Sequence, residues 1–359
     1  MDRMYVQDCC EILDSLRVPI TAGDREGGEY PYYGANGIQD YVANYIFDDE
    51  LVLLAEDGGN FGSREKPIAY RVSGKCWVNN HAHVLKPKAG LDVDYLCYSL
   101  MFYKVDGMVN GATRQKLTQS AMRKMEIPLR SMEEQVHIID ELNRIVKIKK
   151  QRQLELQLLD DLIKARFVEM FDDLAGNHQR YYVATLQELI DKGYITYHLD
   201  GNHGGDYPRS EEFVASGVPY ISANCIVNGE IDFSKAKFLT SERAGKLRKG
   251  IAQDEDVLFA HNATVGPTVV LHTDEEKVIL GTSLTAYRCN KDKIIPNYLK
   301  AYMLSDGFVL QYSGEMKQTT RNQVPITAQK KYLFLIPPIE EQNRFATFVN
   351  QVDKSKVVD

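Results

Sequence analysis

The chain has 359 residues, of which 44% are hydrophobic and 26% charged, a composition typical of globular proteins with two or three domains. No apolar run has the roughly 18 residues that a membrane-spanning helix needs, and the N-terminus does not resemble a signal peptide. The six cysteines show no paired spacing, so reduced thiols in a cytoplasmic protein are expected. The net charge of −7 argues against a protein that binds nucleic acid through its total charge.

The first third of the chain predicts strands followed by a helix. Residues 51–58 form an apolar run that ends in glycine, which is typical of a strand entering a loop. Residues 76–87 alternate in polarity as a strand does, and residues 93–105 carry apolar side chains at helical spacing. We therefore predict an α+β domain over residues 1–132.

A long helix is predicted next, over residues 133–172. No glycine or proline occurs from Glu133 to Phe171, and Ser131 with Glu134 has the spacing of a capping box. Apolar residues recur at steps of four and three, with Lys149 and Arg152 interrupting them, as in a coiled-coil seam. The seam positions of this helix are Ile138, Leu142, Ile145, Leu156, Leu159 and Ile163.

The second half of the chain predicts the same elements again. Residues 256–266 and 278–289 favour strands, and residues 296–312 favour a short helix, so residues 173–339 form a second predicted domain. A shorter final helix is predicted over residues 340–359, with a seam at Phe345, Phe348 and Val352.

Four short matches in one order indicate an internal repeat. "PYYGANGI" at 31–38 is similar to "PYISANCI" at 219–226, and "EEQ" at 133–135 recurs at 340–342. "DYLCYSL" at 94–100 and "ATRQKL" at 112–117 also have later counterparts, "NYLKAYML" and "TTRNQV". We interpret the chain as two copies of one domain, each ending at its EEQ. The two helices would pair antiparallel and relate the domains by a pseudo-twofold; two unrelated surface helices are the alternative.

This organisation resembles the specificity subunit of type I restriction-modification systems. The resemblance is carried by residues 31–58, by "IPLRSMEEQVHIIDEL" at 127–142 and by "LIPPIEEQNRFATFV" at 335–349, and it covers essentially the whole chain. It implies two tandem target-recognition domains separated by helices that pair as an antiparallel coiled coil. It also implies a noncatalytic subunit that binds double-stranded DNA, two methyltransferase subunits and restriction subunits, the translocase-nucleases.

The motifs of an enzyme are missing. The sequence has no NPPY or DPPY tetrapeptide and no phosphate-binding GxxxxGK[ST] loop. His81 and His83 could share one face of a strand, but no further ligand at suitable spacing completes a metal site, so none is predicted. We expect no cofactor in this chain, with S-adenosylmethionine, ATP and Mg on partner subunits. A solitary methyltransferase or nuclease with unfamiliar motifs, and a duplicated protein-interaction or carbohydrate-binding module, are the alternatives.

Local charge and loop residues supply candidates for DNA contact. Residues 143–152, 235–249 and 317–331 are basic stretches that could form a basic face. Arginine, lysine, asparagine and glutamine match base edges in the major groove, and such residues are commonly held on loops. The candidates in the two domains are Asn36, Asn60, Arg64, Asn79, Asn80, Arg114, Lys116, Asn202, His203, Asn224, Asn262, Thr264, Arg321 and Gln323.

Each type of candidate has a second interpretation. The recurrence of Arg114 as Arg321 favours a phosphate contact or a structural ion pair over base recognition. For the asparagines, formation of turns by the side chain is the alternative. Because the two domains differ in sequence, the resemblance implies a bipartite, asymmetric target with one half-site per domain.

Overall fold

The computed structural model describes residues 2–111, 114–171, 180–202, 206–316 and 322–357. The chain divides into two compact units, Met1–Arg152 and Gln153–Asp359, called unit 1 and unit 2 below. Within the described ranges, no helix combines the length and apolar character needed to cross a membrane. Both units mix sheets with helices, as the α+β prediction requires.

Unit 1 is built on one six-stranded sheet. Across the sheet its strands are β2 (Cys10–Ile12), β7 (Ala82–Pro87), β5 (Phe47–Ala55), β6 (Ala69–Val78), β3 (Gly27–Gly34) and β4 (Gly37–Val42). All neighbours are antiparallel except β3 and β6. The remaining elements are the strand pair β1 (Arg3–Tyr5) and β10 (Glu126–Pro128), the pair β8 (Val109–Asn110) and β9 (Lys116–Leu117), and the helices α1 (Val6–Cys9), α2 (Val93–Met101) and α3 (Gln119–Arg123).

The centre of unit 1 is the apolar run in β5. Every residue from Leu51 to Ala55 is fully buried, because successive side chains on a strand point to opposite faces and both faces are covered. Val52 and Leu54 belong to the same core as Leu96 and Leu100 of α2. The opposite face of β5 forms a second core with residues of β6 and β7.

Unit 2 divides its strands between a four-stranded and a five-stranded sheet. The first contains β12 (Ile195–Asp200), β22 (Leu284–Cys289), β19 (Val257–Asn262) and β20 (Thr264–Val270), in that order. The second contains β13 (Phe213–Val214), β17 (Lys237–Leu239), β14 (Val218–Ile221), β21 (Val278–Leu280) and β18 (Ile251–Ala252). The rest of the unit comprises the pair β11 (Tyr182–Thr185) and β23 (Leu333–Ile336), the hairpin β15 (Ile226–Val227) and β16 (Glu230–Ile231), and the helices α5 (Leu186–Asp191), α6 (Ser241–Gly245), α7 (Pro296–Met303), α8 (Asp306–Met316) and α9 (Ile326–Gln329).

The two units share one plan. The order β2-β7-β5-β6 in unit 1 matches β12-β22-β19-β20 in unit 2. In each unit the first strand pairs antiparallel with the last strand before a long helix, β1 with β10 and β11 with β23. This correspondence confirms the prediction of two tandem α+β domains.

Four predicted elements are each two elements in the structure, and one of them, residues 256–266, contains β19 and the start of β20. Residues 76–87 contain a turn, because the Asn79 side chain accepts a hydrogen bond from the His81 amide at 2.8 Å. Residues 278–289 cross from one sheet to the other, as β21 and β22. Residues 296–312 break after α7, and the Ser305 hydroxyl accepts a hydrogen bond from the Phe308 amide at the start of α8.

The helix α4 (Met132–Phe171) has 40 residues and begins one residue before its predicted start. The Ser131 hydroxyl accepts a hydrogen bond from the Glu134 amide, and the Glu134 carboxylate accepts one from the Ser131 amide at 2.8 Å. The predicted capping box is therefore present. The final helix, α10, spans Ile339–Lys356 and begins after Pro338, which has no side chain that can cap it.

The glutamine of the first EEQ is fully buried and holds the start of α4 in place. The Gln135 amide nitrogen donates to the carbonyl of Gly90 at 2.9 Å and to that of Arg130 at 3.0 Å. Its amide oxygen accepts from the backbone N–H of Asp92, the N-cap of α2, at 2.8 Å. One side chain thus fixes the start of α4 to the start of α2.

The glutamine of the second EEQ repeats these contacts in unit 2. Gln342 is also fully buried, and its nitrogen donates to the carbonyls of Lys293 at 3.3 Å and Pro337 at 2.8 Å. Its oxygen accepts from the backbone N–H of Ile295, the N-cap of α7, at 3.0 Å. The EEQ repeat is therefore a device that docks a long helix onto its domain.

Within unit 2, α10 packs against the last part of α4 and runs antiparallel to it. The Phe345 ring lies 5.6 Å from the rings of both Phe167 and Phe171, between centroids, and Lys356 pairs with Asp160 at 2.7 Å. Of the predicted seam, Phe345 and Val352 are buried, and the half-buried positions are Ile138, Leu142, Leu156, Leu159, Ile163 and Phe348. Ile145 is 58% exposed. Coiled-coil pairing along the whole of α4 stays a prediction.

Candidate nucleic-acid interface

One end of unit 1 collects four connecting segments: residues 35–36, 56–67, 79–81 and 114–117. We call it the loop end of unit 1. The Asn36 amide donates to the Gly58 carbonyl at 3.0 Å, and the Gly58 amide donates to the Gln115 carbonyl at 3.2 Å. The Glu56 amide also donates to the His81 carbonyl at 2.9 Å. These bonds join the four segments, which carry the predicted contact residues of unit 1, at one end of the unit.

Asp57 is the centre of a polar cluster at this loop end. One of its carboxylate oxygens lies 2.7 Å from a guanidinium nitrogen of Arg114 and 2.7 Å from Nδ1 of His81. The Arg114 side chain remains 59% exposed. The ion-pair interpretation of Arg114 thus has a partner in the structure, and a phosphate contact by its exposed face stays a prediction.

The other candidates of unit 1 differ in their exposure and in their hydrogen bonds. Lys116 is exposed, and its ammonium lies 2.9 Å from a carboxylate oxygen of Glu56. Arg64 and Asn80 are exposed on two of the loops. Asn60 is half-buried, and its amide donates to the Pro67 carbonyl at 3.4 Å, within its own loop.

Asn79 lies inside the protein. It is 2% exposed, and its amide donates to the Gln39 side chain at 2.9 Å while its oxygen forms the turn to His81. For this asparagine the turn-forming alternative describes the contacts in the structure. We leave Asn79 out of the proposed interface because it is buried, unlike Asn36, and its amide is hydrogen-bonded to Gln39 inside the fold.

Unit 2 has a corresponding loop end, formed by residues 222–224, 261–264, 281–283 and 322–324. The Ala223 amide donates to the Ser283 hydroxyl at 2.9 Å, and the Ala263 amide donates to the Asn322 carbonyl at 3.0 Å. Ala263 has a φ of 64°, which permits the tight turn between β19 and β20. Four predicted residues come together here: Asn224, Asn262, Thr264 and Gln323.

The two loop ends match position by position. Asp57 forms an isolated bridge with Lys116, and Asn262 forms the same kind of bridge with Gln323. Asn36 and Asn224 occupy the same place in the repeated segments "GAN" and "SAN". The two loop ends therefore share one backbone arrangement, which we call the frame. A carboxylate and an ammonium in unit 1 are replaced by two amides in unit 2.

Three further candidates do not contribute to the described surface. Asn202 is 2% exposed, and its amide donates to the Lys249 carbonyl at 2.8 Å, so we leave it out of the proposed interface. His203 and Arg321 lie outside the described residues.

The basic stretch at 235–249 contains many charges that are already paired. Lys235 lies 3.9 Å from Asp232, and Lys246 lies 2.7 Å from Glu242. Arg243 forms a hydrogen bond with Glu212 at 2.5 Å. The stretch is therefore a surface of mixed charge, in which phosphate would have to compete with carboxylates.

A buried charged network lies beneath the loop end of unit 1. His83 Nδ1 lies 2.7 Å from an oxygen of Asp14, and the Arg17 guanidinium donates to Glu56 at 2.6 Å and lies 3.5 Å from Asp14. Burial raises the pKa of both carboxyls, but their hydrogen-bonding partners outweigh it. His83 lowers the pKa of Asp14 below its ordinary value, and Arg17 and Lys116 do the same for Glu56.

The same network includes the only group of potential metal ligands found among the described residues, Asp14, Glu56 and His83. Arg17 lies against both carboxylates, and Lys116 occupies the second oxygen of Glu56. Gln119 donates to Asp14 at 2.9 Å. Because two cations of the protein already neutralise these acids, the donor set does not fit a metal ion.

The corresponding network in unit 2 is built around the amide of Gln329 where unit 1 has carboxylates. Gln329 is fully buried, and its oxygen accepts from the Tyr287 hydroxyl at 2.6 Å and lies 3.1 Å from His198 Nε2. Burial lowers the pKa of His198 to about 4. Thr285, at the position of His83, lies 2.9 Å from His261 Nδ1.

Asp57 and His81 were not predicted as members of the interface, and the networks beneath both loop ends were not predicted either. A signal was available, because the offset between the matched strands β5 and β19 aligns Glu56 with His261 and Asp57 with Asn262. Following that offset would have identified Asp57 as the counterpart of the candidate Asn262.

Comparisons with known proteins agree with this organisation. The model of the family described as type I restriction modification DNA specificity domain matches residues 2–158 and 185–357. A Haemophilus influenzae protein assigned as a type I restriction enzyme specificity subunit is 24% identical over 357 residues, which are 97% of this chain and 86% of that protein.

Solved structures show the same fold. The crystal structure of a type I restriction-modification S subunit from M. genitalium has a TM-score of 0.55 at 14% identity, covering 99% of this chain and 90% of that one. A structure from work on complex assembly and conformational transition of the type I system has a TM-score of 0.50 at 14% identity, with the same coverage.

Proposed function

The chain belongs to the type I restriction-modification DNA specificity family, and from that premise we propose how it recognises DNA. Members of the family determine which DNA sequence is recognised through two target-recognition domains and are not themselves catalytic. Our proposal is that the loop end of each unit contacts one half of a bipartite, asymmetric target.

The observation that carries the proposal is the matched frame with different side chains. Asn36 and Asn224 are the same residue in both copies, whereas Asp57 and Lys116 correspond to Asn262 and Gln323. A shared frame can approach DNA in the same way twice, and different donors and acceptors then select different bases. The two half-sites are accordingly expected to differ.

The chemistry of each loop end indicates a preference. Asparagine and glutamine can form two hydrogen bonds with adenine, and lysine or arginine can do so with guanine. Where the two units differ, unit 2 presents the amides of Asn262 and Gln323, which favours adenine in its half-site. Unit 1 presents Lys116 and Arg64, which favours guanine in its half-site. Arg114 is assigned to phosphate, because the same arginine recurs as Arg321 in a domain expected to recognise different bases and its side chain is 59% exposed. Arg321 keeps the same predicted role.

We assign a spacer role to the two long helices. At 1.5 Å per residue, the 40 residues of α4 extend about 60 Å, and the 18 residues of α10 extend about 27 Å. Half-sites one turn of duplex apart are separated by roughly 34 Å. A helix pair of this size would fix the number of unread base pairs between the half-sites.

The partners proposed for the chain are two methyltransferase subunits and the restriction subunits of a type I system. S-adenosylmethionine, ATP and Mg would be bound by those partners, and the complex would work in the cytoplasm. An acidic chain fits this assembly because partner subunits can supply cations for the DNA phosphates.

Selection from randomised DNA tests this function. The full chain, bound to the methyltransferase subunit encoded with it, should enrich duplexes with two specific halves around an unread spacer. Lys116→Ala should relax selection in one half by about tenfold, and Gln323→Ala should do so in the other, because a good base contact contributes about 1–3 kcal/mol. Duplexes enriched without any sequence preference would contradict the proposal.

Exposed residues away from the loop ends provide matched controls. Lys124→Ala in unit 1 and Gln351→Ala in unit 2 remove similar side chains and should leave both halves unchanged. If either control relaxed the selection of one half as much as the loop-end variant of the same unit, the loop ends would not be the recognition surfaces.

A further inference from the structure

We propose that His83 in unit 1 and Gln329 in unit 2 are positioning residues for DNA recognition: each holds the backbone carbonyl next to the contact residue, Lys116 or Gln323. This inference rests on the proposed function of the loop ends. It assigns specificity to buried side chains that cannot touch DNA.

In unit 1 the held carbonyl is that of Leu117, which follows Lys116. His83 is fully buried on β7, and its Nε2 donates to the Leu117 carbonyl at 2.9 Å. The Leu117 amide donates to the Glu56 carbonyl at 2.7 Å, so both backbone polar groups of Leu117 are fixed by hydrogen bonds. Lys116 therefore extends from a backbone with little freedom to move.

In unit 2 the held carbonyl is that of Val324, which follows Gln323. The Gln329 amide nitrogen donates to the Val324 carbonyl at 3.2 Å and to the Thr285 hydroxyl at 3.2 Å. The Val324 amide donates to the His261 carbonyl at 2.8 Å. Both backbone polar groups of Val324, the residue after the contact residue of unit 2, are thus fixed in the same way.

The two units reach this arrangement with different side chains from different elements. The donor in unit 1 is an imidazole on strand β7, and the position of His83 in unit 2 is taken by Thr285 on β22. The donor in unit 2 is instead an amide at the end of α9. The donors differ, but the carbonyls they hold, of Leu117 and Val324, occupy corresponding positions. The placement of this carbonyl is therefore the property that the two units share.

The remaining contacts of each donor explain why it stays in place. His83 Nδ1 lies 2.7 Å from Asp14, which also accepts from Gln119 and from the Val84 amide. Gln329 is held by Tyr287 and His198 through its oxygen. A donor fixed by packing and by further hydrogen bonds can hold a recognition side chain to the tolerance that specificity needs.

Two substitutions of His83 separate positioning from stability. His83→Gln places an amide where Nε2 was and keeps the bond to Leu117, whereas His83→Asn places an amide where Nδ1 was and keeps the contact with Asp14. We expect His83→Asn to lower the preference for the correct first half-site by about tenfold, and His83→Gln to retain it. The preference for the second half-site should be unchanged in both.

The measurements are selection from randomised duplexes by the full chain with its methyltransferase subunit, and unfolding of unit 1 followed by Trp77 fluorescence. Ile127→Val, in the core of unit 1, serves as a control for stability loss alone and should leave both halves intact. Gln329→Leu should relax the second half only.

The outcomes distinguish this inference from the proposed function. The positioning role would be overturned if His83→Asn retained the preference for the first half-site. It would also be overturned if the loss of preference in each variant were proportional to its loss of stability. Either result would leave recognition by Lys116 in place. If Lys116→Ala also left the first half unchanged, the loop end would not contact DNA and the proposed function itself would fail.

Discussion

Replacing Phe345 with alanine is expected to destabilise unit 2 by about 3–5 kcal/mol, the usual loss for a large aromatic side chain in a core. Phe345 is fully buried, and its ring contacts those of Phe167 and Phe171 at 5.6 Å between centroids. Removing it leaves a cavity between α10 and α4. Denaturant unfolding followed by circular dichroism should detect the loss, with faster hydrogen exchange in α10.

Phe348 provides the matched control on the same helix. It is half-buried and lies under the guanidinium of Arg166 at 5.8 Å, so Phe348→Ala should lose only about 1–2 kcal/mol. The single tryptophan, Trp77, lies in unit 1, so its fluorescence transition should not move in either variant. Equal losses for the two phenylalanines would contradict the packing described for α10.

Replacing the glutamine of either EEQ with leucine is expected to cost about 2–4 kcal/mol. Leucine has a similar volume, but it leaves two carbonyls and one N–H without the partner that Gln135 or Gln342 supplied. Gln135→Leu should shift the Trp77 transition of unit 1, and Gln342→Leu should shift the circular dichroism transition of unit 2. Hydrogen exchange should increase at the first turn of the affected helix.

The neighbouring glutamates are the controls for this pair. Glu133 and Glu340 are exposed, so replacing either with alanine should change the unfolding free energy by no more than about 0.5 kcal/mol. If Gln342→Leu were as stable as Glu340→Ala, the docking function of the second EEQ would be refuted.

The sequence predicted the fold where patterns were long or repeated. The absence of glycine and proline in α4, and the order of the repeated segments, were sufficient to predict a long helix between two copies of one domain. Short apolar runs were less informative, because residues 76–87 alternate as one strand would, yet the side chain of Asn79 turns the chain between β6 and β7. Only tertiary contacts could identify that turn.

The candidate interface was predicted in part. Asn36, Lys116, Asn224 and Gln323 were chosen for their side-chain chemistry, and the structure places them on two matched loop ends. Asn79 and Asn202 have the same chemistry but are buried, because each bonds to a neighbouring segment far away in sequence. The buried donors His83 and Gln329 could not be found from periodicity, since their partner is a backbone carbonyl.

Methylation mapping of an exchanged chain determines whether each domain recognises its own half of the target. Residues 1–130 would be replaced by those of another specificity subunit, and the chain would be expressed with its methyltransferase partner. We expect the methylated motif to change in one half only, with the other half and the spacer length retained. A motif altered in both halves, or an unchanged motif, would contradict it.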